Sequence, residues 1–142
     1  KRAALAATLL VVVLSLGGCS TATIATSGPA VATVPAAGSS LAASEFAAAS
    51  KLPDTVLLDV RTPAEFASGH LPGALNIDVE SADFSKSIAA LDRSKTYAVY
   101  CRSANRSKVA MTAMKRAGFT KLFDLAGGIN AWKSAGGEVV TG

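Results

Sequence analysis

The segment that most constrains the fold of this chain is residues 97–108, YAVYCRSANRSK. Its four apolar residues predict a short buried strand that stops at Cys101, and a helical pattern follows over Asn105–Ala117. Backbone N–H groups at such a strand-to-helix loop have no helical partner, and the helix dipole favours negative charge there. With Arg102 and Arg106 nearby, we predict a nucleophilic thiolate at Cys101 and an anion held by the loop. A buried structural cysteine is the alternative.

Strand and helix patterns alternate along residues 41–142, and the connections between them are short. This order predicts an α/β fold, in which a mostly parallel sheet is flanked by helices on both faces. Ligands of such folds bind beyond the carboxyl ends of the strands, which places Cys101 and Arg61 at the same edge. The predicted strands are Thr55–Val60, Ala74–Val79, Thr96–Tyr100 and Lys121–Leu125, and the predicted helices are Leu41–Lys51, a short helix after Thr62, Ser81–Leu91, Asn105–Ala117 and Ile129–Ser134.

Local signals predict where one helix starts and where two helices end. Thr62, Pro63 and Glu65 form a helix-start pattern, with Thr62 as the N-cap and Glu65 closing a capping box. Gly69 is expected to end this helix, and Gly118 is expected to follow the end of the helix after Cys101.

The N-terminal residues resemble a bacterial lipoprotein signal peptide. Basic Lys1-Arg2 precedes the apolar run Ala3–Leu16, which is too short for a comfortable membrane span, and LGGC at residues 16–19 resembles the lipobox. The resemblance implies cleavage after residue 18 and lipidation of Cys19, so we expect export and lipid anchoring to the cell envelope, on the periplasmic or outer face of the membrane. A secreted protein without lipid and an uncleaved anchor remain alternatives.

Residues 19–40 are rich in Ala, Thr, Ser and Pro and carry no charge. That composition cannot bury enough apolar surface to fold alone, so it predicts a flexible tether that starts at lipidated Cys19. The predicted globular domain is residues 41–142.

Net charge does not indicate a nucleic-acid partner. The formal charge is +4, and without Lys1 and Arg2 only 12 basic residues face 10 acidic ones. Because no basic stripe with interleaved aromatic residues is present, we expect no nucleic-acid binding. We also expect no metal site, because the single His70 and one free cysteine cannot form a zinc site. His70 is expected to lie in a turn rather than to act as a base.

Three segments, taken together, resemble the rhodanese family. Residues 57–77, LLDVRTPAEFASGHLPGALNI, are similar to its D-x-R…E-[FY]-x-x-G-H-[IL]-P-G-A signature. CRSANRS at 101–107 resembles the active loop C-R-x-G-x-R-S, and LAGGINAWKSAG at 125–136 resembles the C-terminal motif. Ala104 departs from the pattern, because many active members carry Gly there, and its Cβ is expected to narrow the loop.

The resemblance implies a sulfurtransferase without a cofactor. Cys101 would take a sulfane sulfur from thiosulfate or a similar donor anion, hold it as a persulfide, and pass it to cyanide or a thiol. Asp59 and Arg61 are interpreted as a pair that supports the loop from behind, in preference to a catalytic role, and a monomer is expected. The residues expected to bind the substrate are Arg102, Ser103, Ala104, Asn105, Arg106 and Ser107.

Other chemistries of the same loop remain open. Phosphatases and arsenate reductases of this fold use Cys-x5-Arg, whereas Cys101 and Arg106 here form the shorter Cys-x4-Arg. A smaller loop suits one sulfur atom better than a phosphoryl group. The alternatives to a sulfurtransferase are a sulfane-sulfur carrier that turns over poorly and, as a weaker possibility, a thiol-based oxyanion reductase or phosphatase.

Overall fold

A computed structural model of the protein describes residues 33–142. The signal peptide predicted over residues 1–18, the predicted lipidation site Cys19 and most of the tether lie outside the described residues. No helix within 33–142 has the length and apolar character needed to cross a membrane.

Five strands and five helices alternate through the described residues; the sequence predicted all five helices and four of the five strands. The strands form one parallel sheet in the order β1-β5-β4-β2-β3, and the predicted α/β fold is confirmed. The elements are β1 (Ser39–Leu41), α1 (Ala43–Ala49), β2 (Thr55–Asp59), α2 (Pro63–Ser68), β3 (Leu75–Asn76), α3 (Phe84–Ala89), β4 (Thr96–Tyr100), α4 (Asn105–Arg116), β5 (Leu122–Leu125) and α5 (Gly128–Ser134).

β4 lies in the middle of the sheet, which explains its continuous apolar sequence. All five of its residues are buried, and it pairs with β2 on one side and β5 on the other. A central parallel strand is covered on both faces and therefore has no polar side. This position makes the C-terminal end of β4, where Cys101 follows, a rigid base for a loop.

Side chains of the sheet alternate between two apolar cores, one on each face. Tyr97 and Val99 of β4 point to a core formed with α3 and α4. Ala98 and Tyr100 point to the opposite core, formed with α1 and α5. Helices therefore cover both faces of the sheet, as the alternating sequence pattern predicted.

Capping side chains define α2 as the sequence indicated. Thr62 is the N-cap, its hydroxyl accepts a hydrogen bond from the Glu65 amide, and the Glu65 carboxylate accepts one from the Thr62 amide. Gly69 is the C-cap of α2, and Gly118 follows the C-cap of α4 with a positive φ of 94°.

The structure differs from the predicted elements at the N-terminal edge. Ser39 and Ser40, the last two residues of the predicted tether, belong to β1 and pair with β5. Leu41, expected to begin a helix, ends that strand, and α1 starts only at Ala43. A three-residue edge strand has too few residues to show a hydrophobic period, so only its pairing with β5 reveals it. The predicted elements at 74–79 and 81–91 are also shorter, as β3 and α3.

Candidate active site

Cys101 lies where β4 ends and begins the loop that leads into α4. Its side chain is only 1% exposed. Two polar groups approach its sulfur: the Ala104 amide donates to Sγ at 3.1 Å, and Ser107 Oγ lies 3.8 Å from Sγ. The sulfur is thus buried, yet a backbone amide is directed at it, which favours negative charge on sulfur.

The remaining amides of the loop have no protein acceptor. Within residues 33–142, the N–H groups of residues 102, 103, 105 and 106 make no hydrogen bond to protein. Together with the Ala104 amide they form a set of donors around the start of α4, as the sequence led us to expect. These free donors can bind an anion that reacts at Cys101.

Ala104 closes the loop in a left-handed conformation, with φ 74° and ψ 2°. A residue with a Cβ is strained in this region by about 1–2 kcal/mol, whereas glycine is not. Ala104 replaces the Gly of the loop motif that the sequence resembles. Its backbone conformation is therefore the one in the loop that best suits glycine.

The start of α5 holds the loop from the other side. Amides of Ile129 and Asn130 donate to the carbonyl oxygens of Cys101 and Arg102 at 2.8 and 3.3 Å. Gly128 permits this approach: a Cβ there would overlap the Cys101 carbonyl oxygen and would lie 2.5 Å from the Arg102 carbonyl carbon. Gly128, the first residue of α5, thus allows this helix to begin in direct contact with the reactive loop.

Arg106 is engaged with two carboxylates. Its Nη1 and Nη2 each donate to Glu65 at 2.8 Å, and Nη1 also donates to Glu80 at 3.1 Å. Hydrogen bonds from Arg106 hold the pKa of Glu65 at about 2, and the same contacts raise the pKa of Arg106. The sequence suggested that Arg106 stabilises a thiolate; the structure shows that its charge is largely balanced by acids, so it ties α4 to the start of α2 and to Glu80.

The other predicted substrate residues divide into exposed and buried ones. Arg102, Ser103 and Asn105 are exposed, and within residues 33–142 their side chains make no hydrogen bond or ion pair to protein. Ser107 is fully buried beneath the loop, and its hydroxyl donates to Asp124 of β5 at 2.8 Å. Of this group, Arg102 is the cation free to meet an anionic substrate.

Sequence reasoning missed Asp124. It is a fully buried acid within the strand Leu122-Phe123-Asp124-Leu125. A single charged residue inside an otherwise apolar central strand was the signal that could have identified it, because buried charges need partners or a function.

Asp59 and Arg61 form a buried ion pair at the end of β2. Arg61 Nε donates to Asp59 Oδ1 at 2.9 Å, and an Nη2 donates to the Gly69 carbonyl oxygen at 2.8 Å. The guanidinium also lies 5.8 Å from the ring centre of Tyr100, the residue before Cys101. Burial and the Asp59 carboxylate raise the pKa of the Tyr100 hydroxyl, which accepts from the Leu71 amide. The pair therefore contacts Tyr100, the residue that precedes Cys101, and not the sulfur itself.

His70 was expected in a turn, but it lies just before the turn at residues 71–74 and contacts the C-terminal segment. Its Nδ1 is 2.9 Å from the Phe66 carbonyl oxygen, its ring stacks on Phe66, and its backbone pairs with Val140. No group of three or more His, Cys, Asp or Glu side chains within residues 33–142 is arranged to bind a metal ion.

Comparisons with known proteins agree with the sequence motifs. The family model for the rhodanese-like domain matches residues 42–135. The chain is 37% identical over 87 residues to a sulfurtransferase from Allochromatium vinosum, covering 61% of this chain and 79% of that protein. It is 37% identical over 89 residues to thiosulfate sulfurtransferase 16, chloroplastic, from Arabidopsis thaliana, covering 56% and 74%. A rhodanese-related protein from Thermoplasma volcanium has a similar structure, with a TM-score of 0.64, 30% identity, and coverage of 73% of this chain and 99% of that one.

Proposed function

Because the chain belongs to the rhodanese-like domain family, we propose that it is a sulfurtransferase that carries a sulfane sulfur on Cys101. The observation that carries this proposal is the amide of Ala104 directed at Sγ, in a loop whose other amides are free of protein acceptors. This arrangement stabilises an anionic sulfur whether it belongs to the thiolate or to a persulfide. Relatives named as sulfurtransferases support the same chemistry.

Transfer proceeds in two displacement steps. The Cys101 thiolate attacks the outer sulfur of thiosulfate, the S–S bond of thiosulfate breaks, and sulfite leaves with the bonding electron pair. The acceptor, cyanide or a thiolate, then attacks the outer sulfur of the Cys101 persulfide and releases the Cys101 thiolate. Exposed Arg102 attracts the donor anion, and the loop amides hold the anionic sulfur in both steps.

Thiosulfate suits the site because it is small and doubly charged. Cys101 is almost entirely buried, so large reagents reach Sγ only if the loop moves. The short spacing from Cys101 to Arg106 also favours a loop that holds a single sulfur atom over a loop that holds a phosphoryl group.

Mass spectrometry tests the proposal. After thiosulfate treatment, the peptide that contains Cys101 should gain one sulfur atom, and the added mass should disappear when cyanide is supplied. Cys101→Ser should show neither change. Persulfide that forms but does not turn over with cyanide or thiols would instead support a sulfur carrier, and no gain of sulfur from any sulfane donor would refute both.

We further propose that lipid on Cys19 anchors the protein at the cell envelope. The support is the sequence of residues 1–19 alone. Cys19→Ala should leave a precursor without lipid that no longer partitions into detergent; unchanged partitioning would refute the anchor.

A further inference from the structure

Asp124 is a buried acid with no role in the two sulfur-transfer steps proposed above. Its Oδ2 accepts the hydroxyl of Ser107 at 2.8 Å, and Ser107 Oγ in turn lies 3.8 Å from Cys101 Sγ. Its other oxygen, Oδ1, is buried and has no hydrogen-bond partner within residues 33–142. A continuous path of three polar groups therefore runs from the reactive sulfur into the sheet.

The charged state of Asp124 is poorly compensated. Burial of a carboxylate costs free energy unless its oxygens are hydrogen-bonded, and among the described residues only Oδ2 has a partner. β5 has no other charged side chain, β1 and β4 have none, and among described residues no salt bridge reaches Asp124. Three helices pack against β5, namely α1, α4 and α5. Most charged residues of these helices and of the loop are exposed: Glu45, Arg102, Lys108, Lys115, Arg116 and Lys133. Arg106 is half-buried, and it is paired with Glu65 and Glu80.

The hydrogen bonds in this path have one direction. Ser107 has a single hydroxyl proton and donates it to Asp124, so only its lone pairs face the sulfur. The Cys101 thiol can therefore donate to Ser107, which yields the ordered chain S–H to O–H to carboxylate.

We propose that Asp124 accepts the proton of the Cys101 thiol through Ser107, and thereby generates the thiolate without loss of a proton to solvent. The S–H bond of Cys101 breaks as its proton moves to Ser107 Oγ, while the hydroxyl proton of Ser107 moves to Asp124 Oδ2. No electrons are exchanged with another group, and the products are a thiolate and a neutral carboxylic acid. Asp124 is a positioning residue, because it acts on the sulfur only through Ser107.

Proton transfer reverses both hydrogen bonds. Neutral Asp124 then donates to Ser107, and the Ser107 hydroxyl donates to the thiolate beside the Ala104 amide. The sulfur thus has two donors after ionisation, where it had one before. The use of this relay in sulfur transfer rests on the proposed function, but the proton transfer itself does not.

Alkylation of Cys101 with iodoacetamide across a pH series tests the relay without sulfur chemistry. The full chain is used, and the rate is followed by mass spectrometry on the peptide that contains Cys101, which separates it from Cys19. Asp124→Asn keeps a carbonyl oxygen that can accept from Ser107, yet it cannot take up a proton. We expect alkylation of this variant at neutral pH to slow at least about tenfold, with its midpoint at higher pH. An unchanged profile, or faster alkylation because a repelling charge was removed, would overturn the proposal.

Ser107→Ala supplies the second arm, because it interrupts the path and leaves the acid in place. It should slow alkylation as Asp124→Asn does, and the double variant should be no slower than either single one. If the double variant is slowed by the product of the two single effects, Ser107 and Asp124 act on the alkylation rate independently. That result would contradict a shared path.

If a variant at Ser107 or Asp124 does not fold, infrared spectra of the Cys19→Ala chain test the relay with both residues in place. As pH rises, the S–H band of Cys101 should vanish while the C=O band of a neutral carboxylic acid is still present. Loss of S–H with no neutral acid band would refute the relay. Because iodoacetamide and infrared readouts need no sulfane donor, failure of the relay is distinguishable from failure of sulfur transfer.

Discussion

The amide of Ile129 donates a 2.8 Å hydrogen bond to the carbonyl oxygen of Cys101. These residues are far apart in sequence, yet the bond places the first turn of α5 directly against the reactive loop. The loop therefore lies between two helices. It leads directly into α4, and the first amides of α5 donate hydrogen bonds to its carbonyl groups.

Gly128→Ala should displace the loop, because its Cβ would collide with the backbone of Cys101 and Arg102. We expect persulfide formation in thiosulfate to fall at least about tenfold, since small misplacements of reacting groups cost large rate factors. Gly136→Ala is the matched control: Gly136 also has positive φ, but a Cβ there meets nothing within 4 Å. Equal losses in both variants would mean that backbone strain, and not the contact with the loop, is responsible.

Ala104→Gly should stabilise the protein, because it relieves the left-handed conformation at φ 74°. The free energy of unfolding is expected to rise by up to about 1 kcal/mol, measured by urea denaturation. Ala113→Gly, in the middle of α4, should instead lower the free energy of unfolding by about 1 kcal/mol. A loss of stability in Ala104→Gly would show that the Cβ makes contacts worth more than the strain.

The Glu65–Arg106 pair should make stability depend on acid pH. Hydrogen bonds from Arg106 lower the pKa of Glu65 from its usual 4.5 to about 2 in the folded state. Because the folded pKa is the lower one, the contribution is complete above pH 4.5 and is lost as pH falls towards about 2. Urea unfolding of Glu65→Gln should therefore depend less on pH within this window.

Glu45→Gln is the control for the Glu65 prediction. Glu45 occupies the same capping position in α1, but it has no basic partner among the described residues. Glu45→Gln should leave the pH dependence of the free energy of unfolding nearly as in the unaltered chain. If Glu45→Gln reduces that dependence as much as Glu65→Gln does, the effect comes from helix capping and not from the ion pair.

Arg102→Ala should slow the reaction of Cys101 with anionic sulfur donors but not its reaction with neutral reagents. The Arg102 guanidinium is exposed and unpaired within residues 33–142, and loss of one charge-assisted hydrogen bond costs about 1.5–3 kcal/mol. Persulfide formation from thiosulfate should thus slow about tenfold or more, while alkylation by neutral iodoacetamide should hardly change. Lys108→Ala, which removes an exposed cation of α4, is the control, and an equal effect there would indicate general attraction of anions.

Arg61→Met should destabilise the domain strongly, because it leaves Asp59 buried without its partner. The expected loss is about 3–5 kcal/mol, and the double variant Asp59→Asn/Arg61→Met should recover part of it. In the folded fraction, the rate of Cys101 alkylation should stay within about threefold of the unaltered chain, since neither side chain of the pair contacts Cys101. A large change in that rate without unfolding would favour a catalytic role for the pair.

The sequence was informative wherever a structural cause acts over a few residues. The capping box at Thr62, the glycine after α4, and the apolar run before Cys101 each depend on neighbours within one or two turns, and all three are present in the structure. The edge strand β1 was missed, because Ser39–Leu41 has no hydrophobic period and is a strand only through its pairing with β5.

Local sequence therefore determined that a cysteine would end a central strand and that free amides would surround it. The partners of that loop were decided only by tertiary structure: Glu65 is 41 residues from Arg106, and Asp124 is 17 residues from Ser107. Hydrogen bonds and ion pairs act over a few ångströms in space and carry no signature along the chain. Which acid neutralises Arg106, and which one accepts the hydroxyl of Ser107, follows from how the parallel strands and their helices are brought together.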